Sequence, residues 1–262
     1  MSRFRFIEKG LCCDVYYNKK KNINKCALFL YGFPATIGSN NLTELLVDKG
    51  YTVLHPHYYG TYDSIGDFTP QSSFETVKII TDIVSNSLVR NLKSNSVYKL
   101  PDKISICIGY SFGAYVLRHT VQYLKDLEQV FLVSPVMSNN PSNKLCWVNE
   151  NGQEHLNYVM RTRPFTYRIK DKAAWMKYYV NDMFVDNNPN VNNNIKNVLW
   201  FYGKNDDAML ELKIKEKYVY STQECISCNA DVLLYCVDDG DHGINTLINN
   251  KTAEIIDSVL ED

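Results

Sequence analysis

Residues 107–117 read Cys-Ile-Gly-Tyr-Ser-Phe-Gly-Ala-Tyr-Val-Leu, and inside them Gly109-Tyr110-Ser111-Phe112-Gly113 closes an apolar run and opens a helical pattern. A serine held at a sharp strand-to-helix turn needs small residues two positions to either side, because the backbone there folds tightly on itself. Such a turn lifts the hydroxyl clear of a sheet. The next amide begins a helix, where the positive end of the backbone dipoles can meet an oxyanion. Five letters are a weak signal on their own, so the surrounding pattern decides.

Short apolar runs alternate with helical periodicity on both sides of that turn. Cys26–Tyr31, Tyr51–Leu54, Lys103–Ile108, Gln129–Val133, Val198–Tyr202 and Asp231–Val237 read as strands. Leu42–Lys49, Phe74–Leu92, Ala114–Leu124 and Ile244–Leu260 read as helices, and Arg3–Glu8 with Leu11–Tyr17 as a hairpin turning at Lys9-Gly10. This alternation predicts an α/β fold: a mostly parallel open sheet with helices on both faces. Ligands on such sheets bind beyond the carboxyl ends of the strands.

One stretch breaks the rhythm. Residues 136–195 hold no clear strand, only a Tyr-, Asn- and Arg-bearing segment with a helical pattern over Lys172–Met183. That is too long for a simple crossover, so the chain divides into a core of residues 1–135 and 196–262 and an inserted lid or cap over 136–195. The Asn-rich run Asn187–Asn194 reads as linker.

Composition narrows the class. With 28 basic against 29 acidic residues and a formal net charge of −1, the chain carries no electrostatic footprint for nucleic acid or an anionic membrane surface. No apolar run approaches the ~20 residues that span a bilayer. Met1–Glu8 alternates polar and apolar like a strand and lacks the uninterrupted apolar core of a signal peptide, so a cytoplasmic location is expected. In that compartment the eight cysteines are expected as free thiols, with Cys107 and Cys236 buried inside strands. Cys225-x-x-Cys228 has no second pair to complete a zinc site.

A serine hydroxyl is a poor nucleophile at neutral pH. It needs a base to take its proton and a third group to orient that base. Of the five histidines, His242 lies in Gly240-Asp241-His242-Gly243, between the last strand and the last helix. The acid candidates follow an apolar strand in Tyr202-Gly203-Lys204-Asn205-Asp206-Asp207. A carboxylate there can reach a histidine on the neighbouring loop, although paired aspartates after a glycine also form ordinary turns.

Ser111, Asp206 and His242 thus occur in the order nucleophile, acid, histidine, each after its strand, and the chain resembles the α/β-hydrolase fold superfamily, in particular its serine esterase- and peptidase-like members. Leu30-Tyr31-Gly32-Phe33-Pro34 resembles the His-Gly-x-Pro segment of that family, with Tyr31 in place of the histidine. The resemblance implies that the backbone amides of Phe33 and Phe112 form an oxyanion hole. It favours Asp206 over Asp207, because Gly203-x-x-Asp206 has the family's spacing. Residues 55–68 echo a glycine-rich family loop without its Asp and Arg, so no side-chain role is carried over there.

The implied reaction is acyl transfer to Ser111 from a small ester, thioester or amide, with no cofactor and no metal. An acyltransferase using the same three residues, or a non-catalytic ligand-binding member of the fold, are the alternatives. Tyr110, next to the serine, and His57, at a strand end beside His55, are candidates for substrate contact. Arg161 and Arg163 in the lid could meet an anionic substrate group. His55 and His57 alone lack a third metal ligand.

Overall fold

The computed structural model describes residues 1–136, 152–181, 192–206, 226–227 and 229–261. Its frame is an eight-stranded sheet. The hairpin β1 (Ser2–Glu8) and β2 (Leu11–Tyr17) starts it, followed by β3 (Cys26–Leu30) and β4 (Thr52–Pro56). A separate two-stranded ribbon, β5 (Leu88–Arg90) and β6 (Val97–Lys99), precedes β7 (Ile104–Tyr110), β8 (Gln129–Val133), β9 (Asn197–Gly203) and β10 (Asp231–Val237). The sheet order is β1-β2-β4-β3-β7-β8-β9-β10. The β1–β2 and β2–β4 pairs are antiparallel, and every pair from β4 to β10 is parallel.

β3, β4 and β8 are buried at every position, as strands covered on both faces require. Helices α1 (Asn41–Asp48), α2 (Pro70–Asn86) and α3 (Phe112–Thr120) supply that cover, with α6 (Ile244–Leu247) and α7 (Asn250–Glu261) near the end of the chain. Local chemistry sets their starts. Asn40 caps α1 by accepting from the Thr43 amide at 3.0 Å. Thr69 and Ser72 form a reciprocal capping box at the head of α2, with Pro70 as the first helical residue. Between β8 and β9 lie α4 (Gly152–Thr162) and α5 (Lys172–Asn181), in the segment expected to be an insertion.

Three expectations change. Helix α2 stops at Asn86, not Leu92, because Ser87 takes a left-handed conformation (φ 56°) and sends the chain into β5. Leu88 keeps the helical spacing, which is why the pattern ran on, but it is 61% exposed. The closing helix is broken in two, since Asn249 caps α7 by accepting from the amides of Lys251 and Thr252. Cys236, expected buried, is exposed, for β10 is the edge strand and its side chains are half-buried at most. Cys107 is buried and free.

The chain order reverses beside β3. It runs from β3 outward to β4 on one side, then returns to β7 on the other. The loops leaving the carboxyl ends of β3 and β7 therefore start at the point of such a sheet where ligands bind. Those loops carry Phe33 and Ser111.

Candidate active site

The tightest point of the site is the turn at Ser111. Its backbone sits at φ 50°, ψ −119°, a strained conformation for a side chain larger than glycine. The strand neighbours hold it there: the Ser111 amide donates to the Val133 carbonyl at 3.0 Å, and the Val136 amide donates to the Ser111 carbonyl at 3.1 Å. The flanking glycines are required by close approach. A side-chain carbon at Gly113 would overlap the Leu30 carbonyl, and one at Gly109 would press on the backbone of Ala114.

The other two members arrive from neighbouring strand ends. The Lys204 amide donates to the Val237 carbonyl at 3.0 Å and the Asn205 amide to the Gly240 carbonyl at 2.9 Å. The loop after β9 is thereby laced to the loop after β10. Asp241 fixes the turn around His242 by accepting from the Gly243 amide at 2.7 Å and from the Thr246 hydroxyl at 2.5 Å. The outcome is a continuous relay. His242 Nδ1 donates to Asp206 Oδ2 at 2.8 Å, and His242 Nε2 lies 3.0 Å from Ser111 Oγ.

Burial differs along the relay. The Asp206 side chain is 1% exposed and the His242 side chain 36%. Ser111 is buried. With its inner nitrogen committed to the carboxylate, the imidazole presents a lone pair to the serine hydroxyl. A proton leaving Oγ then has an acceptor at hydrogen-bond distance, and the nearby carboxylate favours the imidazolium that results. Asp207 lies outside the described residues.

The loop after β3 packs against the serine. A side-chain carbon at Gly32 would sit 3.0 Å from Ser111 Cβ, so only glycine leaves the two segments this close. Phe33 follows, its ring wedged among Trp175 (4.4 Å between centroids), Phe68 (5.1 Å), Tyr167 (5.1 Å) and Phe112 (6.1 Å). Phe112 opens α3, so its amide is among the first N–H groups that a helix leaves without an intrahelical acceptor. Tyr31 turns away from the serine: its hydroxyl bonds His55 Nδ1 and donates to the Gly38 carbonyl at 3.3 Å.

The four candidates for substrate contact fare differently. Tyr110 is in the site, where its hydroxyl donates to the His242 carbonyl at 3.1 Å. Burial, with the charges of Asp206 and Asp241 added, pushes its phenol up to about 12, so it stays a donor at neutral pH. His57 is not at the mouth. It is 1% exposed, and its Nε2 bonds Asp14 Oδ2 at 3.3 Å. His55 is equally buried, and burial lowers its pKa to about 3. Arg163 donates to the Ala35 carbonyl at 3.2 Å and so braces the Phe33 loop. Arg161 is exposed on α4.

The sequence reading missed how the segment between α4 and α5 holds the loop after β4. Arg168 donates to the carbonyls of Tyr62 (2.8 Å), Gly66 (3.2 Å) and Ser64, and Thr61 bridges to Tyr167. It also missed His155, whose Nδ1 lies 2.5 Å from the Tyr179 hydroxyl and whose ring meets Phe33 edge-on at 5.5 Å. These contacts join residues up to 122 positions apart (Phe33 and His155), and no local spacing announces them.

No family model matches this sequence, and no curated protein matches it. Solved structures do. An esterase from Exiguobacterium antarcticum is 12% identical with a TM-score of 0.60, covering 100% of both chains. An esterase of Pyrococcus furiosus is 14% identical with a TM-score of 0.59, over 99% of this chain and 91% of its own. A laboratory-evolved variant of potato epoxide hydrolase is 9% identical with a TM-score of 0.59, over 99% of each. At such identities the likeness lies in the path of the backbone, and the fold of this chain is that of the α/β hydrolases.

Proposed function

We propose that the protein is a serine hydrolase that cleaves a small ester or thioester through an acyl-enzyme on Ser111. The observation that carries this reading is the unbroken relay from Ser111 Oγ through His242 (3.0 Å) to Asp206 (2.8 Å) at the carboxyl ends of β7, β9 and β10. The fold does not choose the reaction, since esterases and an epoxide hydrolase are about equally similar to it. The side chains do. A hydroxyl hydrogen-bonded to an imidazole that a carboxylate orients suits attack on a carbonyl.

In this reading Ser111 Oγ adds to the substrate carbonyl as His242 Nε2 takes its proton, and Asp206 holds the imidazolium. The amides of Phe33 and Phe112 face the developing oxyanion and stabilise it more than the ground-state carbonyl. His242 then gives its proton to the leaving alcohol or thiol. Water repeats the sequence and frees Ser111. Helices α4 and α5 serve as a lid, whose Trp175 and His155 stand beside the Phe33 ring and limit the acyl group. Arg163 has its guanidinium on the Phe33 loop, while Arg161 is exposed.

The test is labelling with a fluorophosphonate probe, followed by a series of acyl esters of increasing chain length. Wild type is expected to label and to turn over short esters, and Ser111→Ala and His242→Ala to do neither. A folded wild-type protein that neither labels nor hydrolyses any member of the series would refute the assignment.

A further inference from the structure

Away from Ser111, four side chains meet on one face of the antiparallel half of the sheet. β2 and β4 pair with Cys13 opposite Pro56, and the His57 amide continues the ladder to the Cys12 carbonyl at 2.8 Å. Cross-strand partners share a face, as do residues two apart. Cys12, Asp14 and His57 are therefore neighbours. The loop after β4 brings a fourth, Asp63.

Ser64 ties that loop in place. Its hydroxyl accepts from the Cys12 amide at 2.9 Å and donates to the His57 carbonyl at 2.6 Å. The Ile65 amide then donates to the Gly10 carbonyl at 3.0 Å.

One ring nitrogen of His57, the Cys12 sulfur and a carboxylate oxygen of Asp63 lie within 4.8 Å of one another. A tetrahedral ion with bonds of about 2.0–2.3 Å holds its ligand atoms roughly 3.3–3.8 Å apart, so small side-chain movements close this set around one. Two features argue that it is more than a chance cluster. The Nδ1 of His57 is buried without a hydrogen-bond partner, a state native interiors rarely leave uncompensated. The opposite nitrogen, Nε2, bonds the buried carboxylate of Asp14 at 3.3 Å. A histidine ligand commonly donates its second N–H to a carboxylate in this way, which fixes the tautomer and raises its basicity.

We propose that Cys12, His57 and Asp63 form a binding site for a divalent transition metal, with zinc the best fit, in which His57 Nδ1 coordinates and Asp14 orients the ring. Sulfur, nitrogen and one carboxylate oxygen match a borderline-soft ion and not calcium or magnesium, which take oxygen ligands. Cys12 and His57 are essentially inaccessible while the Asp63 side chain is 55% exposed, so the ion enters from the Asp63 side and keeps water there as its fourth ligand. Binding forms the metal–sulfur bond and releases the Cys12 thiol proton to solvent. Charge does not oppose it: Arg3 and Arg5 both bond Asp14 and Arg5 also bonds Asp63, while the thiolate and the two carboxylates supply three negative charges against those two cations. The ion would staple the first hairpin to the loop that Arg168 holds from the other side.

The full-length protein, stripped with a chelator, is titrated with Zn²⁺ against a chromophoric chelator and separately with Co²⁺ in the absorption spectrometer. One equivalent of Zn²⁺ and a thiolate-to-cobalt charge-transfer band are expected. Cys12→Ala should abolish the band, and Asp63→Asn, at an exposed side chain that folding tolerates, should weaken Zn²⁺ binding by at least about tenfold. Ser111→Ala should bind like wild type. Absence of stoichiometric binding by wild type, or binding and spectrum unchanged in both Cys12→Ala and Asp63→Asn, overturns the site.

Discussion

The hydroxyl of Tyr110 donates to the main-chain carbonyl of His242 across 3.1 Å, so the residue before Ser111 holds the loop that carries His242. The two rings stand 5.9 Å apart. In the proposed reaction Tyr110 is thus a positioning residue. Tyr110→Phe keeps the ring and removes the bond, and a neutral hydrogen bond contributes about 1 kcal/mol. Its kcat is expected to fall about fivefold with KM little changed. A raised KM at full kcat would instead make Tyr110 a substrate contact.

Asp206 accepts from His242 Nδ1 in a nearly dry setting, where a neutral amide cannot hold the same tautomer or balance the imidazolium. Asp206→Asn is expected to lower kcat/KM about 10²- to 10⁴-fold while the protein stays folded. Steady-state kinetics beside a thermal melt would check both halves. Activity within a few-fold of wild type would transfer the role to another carboxylate.

Those two residues also mark how far the sequence could be read. Ser111, Asp206 and His242 each follow an apolar run, and a parallel sheet aligns the ends of such runs, so a linear pattern becomes a spatial one. The sheet itself was legible because strands buried on both faces are continuously apolar, as Cys26–Leu30 and Val130–Val133 are. Helix ends were not. The stop at Ser87 depends on one left-handed residue that keeps the helical spacing of its neighbours. Nor could the sequence show that His57 belongs with Asp14 and Cys12, since that follows from the register between β2 and β4 and not from spacing along either.

Two glycines beside the serine should fail in different ways. A side-chain carbon at Gly113 would overlap the Leu30 carbonyl, backbone against backbone, where neither α3 nor β3 can move aside. Gly113→Ala is expected to destabilise the fold by about 2 kcal/mol or more, within the range for overpacked interiors. At Gly32 the added carbon would lie 3.0 Å from Ser111 Cβ, a clash that a small shift of the loop relieves. Gly32→Ala should therefore melt within a few degrees of wild type yet lose about tenfold or more in kcat, because displaced reacting groups are heavily penalised. Urea titrations and kinetics on the two variants side by side would separate the effects, and equal losses of stability in both would contradict this account.

His119 on α3 should make stability depend on pH in the acid range. Burial, reinforced by the Arg118 charge, lowers its pKa to about 3, with its ring against Tyr115 (4.5 Å between centroids) and Phe74 (5.0 Å). In the unfolded chain the same imidazole takes a proton near its ordinary value of about 6.5. Between those two values the unfolded state binds more protons than the folded one, so stability falls as pH drops from about 6.5 towards 3 and is unaffected by this group above 7. At pH 5 the loss from this one residue is about 2 kcal/mol. His119→Leu removes the titration and keeps an apolar side chain among the rings. Its unfolding free energy, measured by urea at pH 7.5 and pH 5, should therefore decline less than that of wild type by about that amount, and parallel declines in the two proteins would show that His119 is protonated without penalty in the fold.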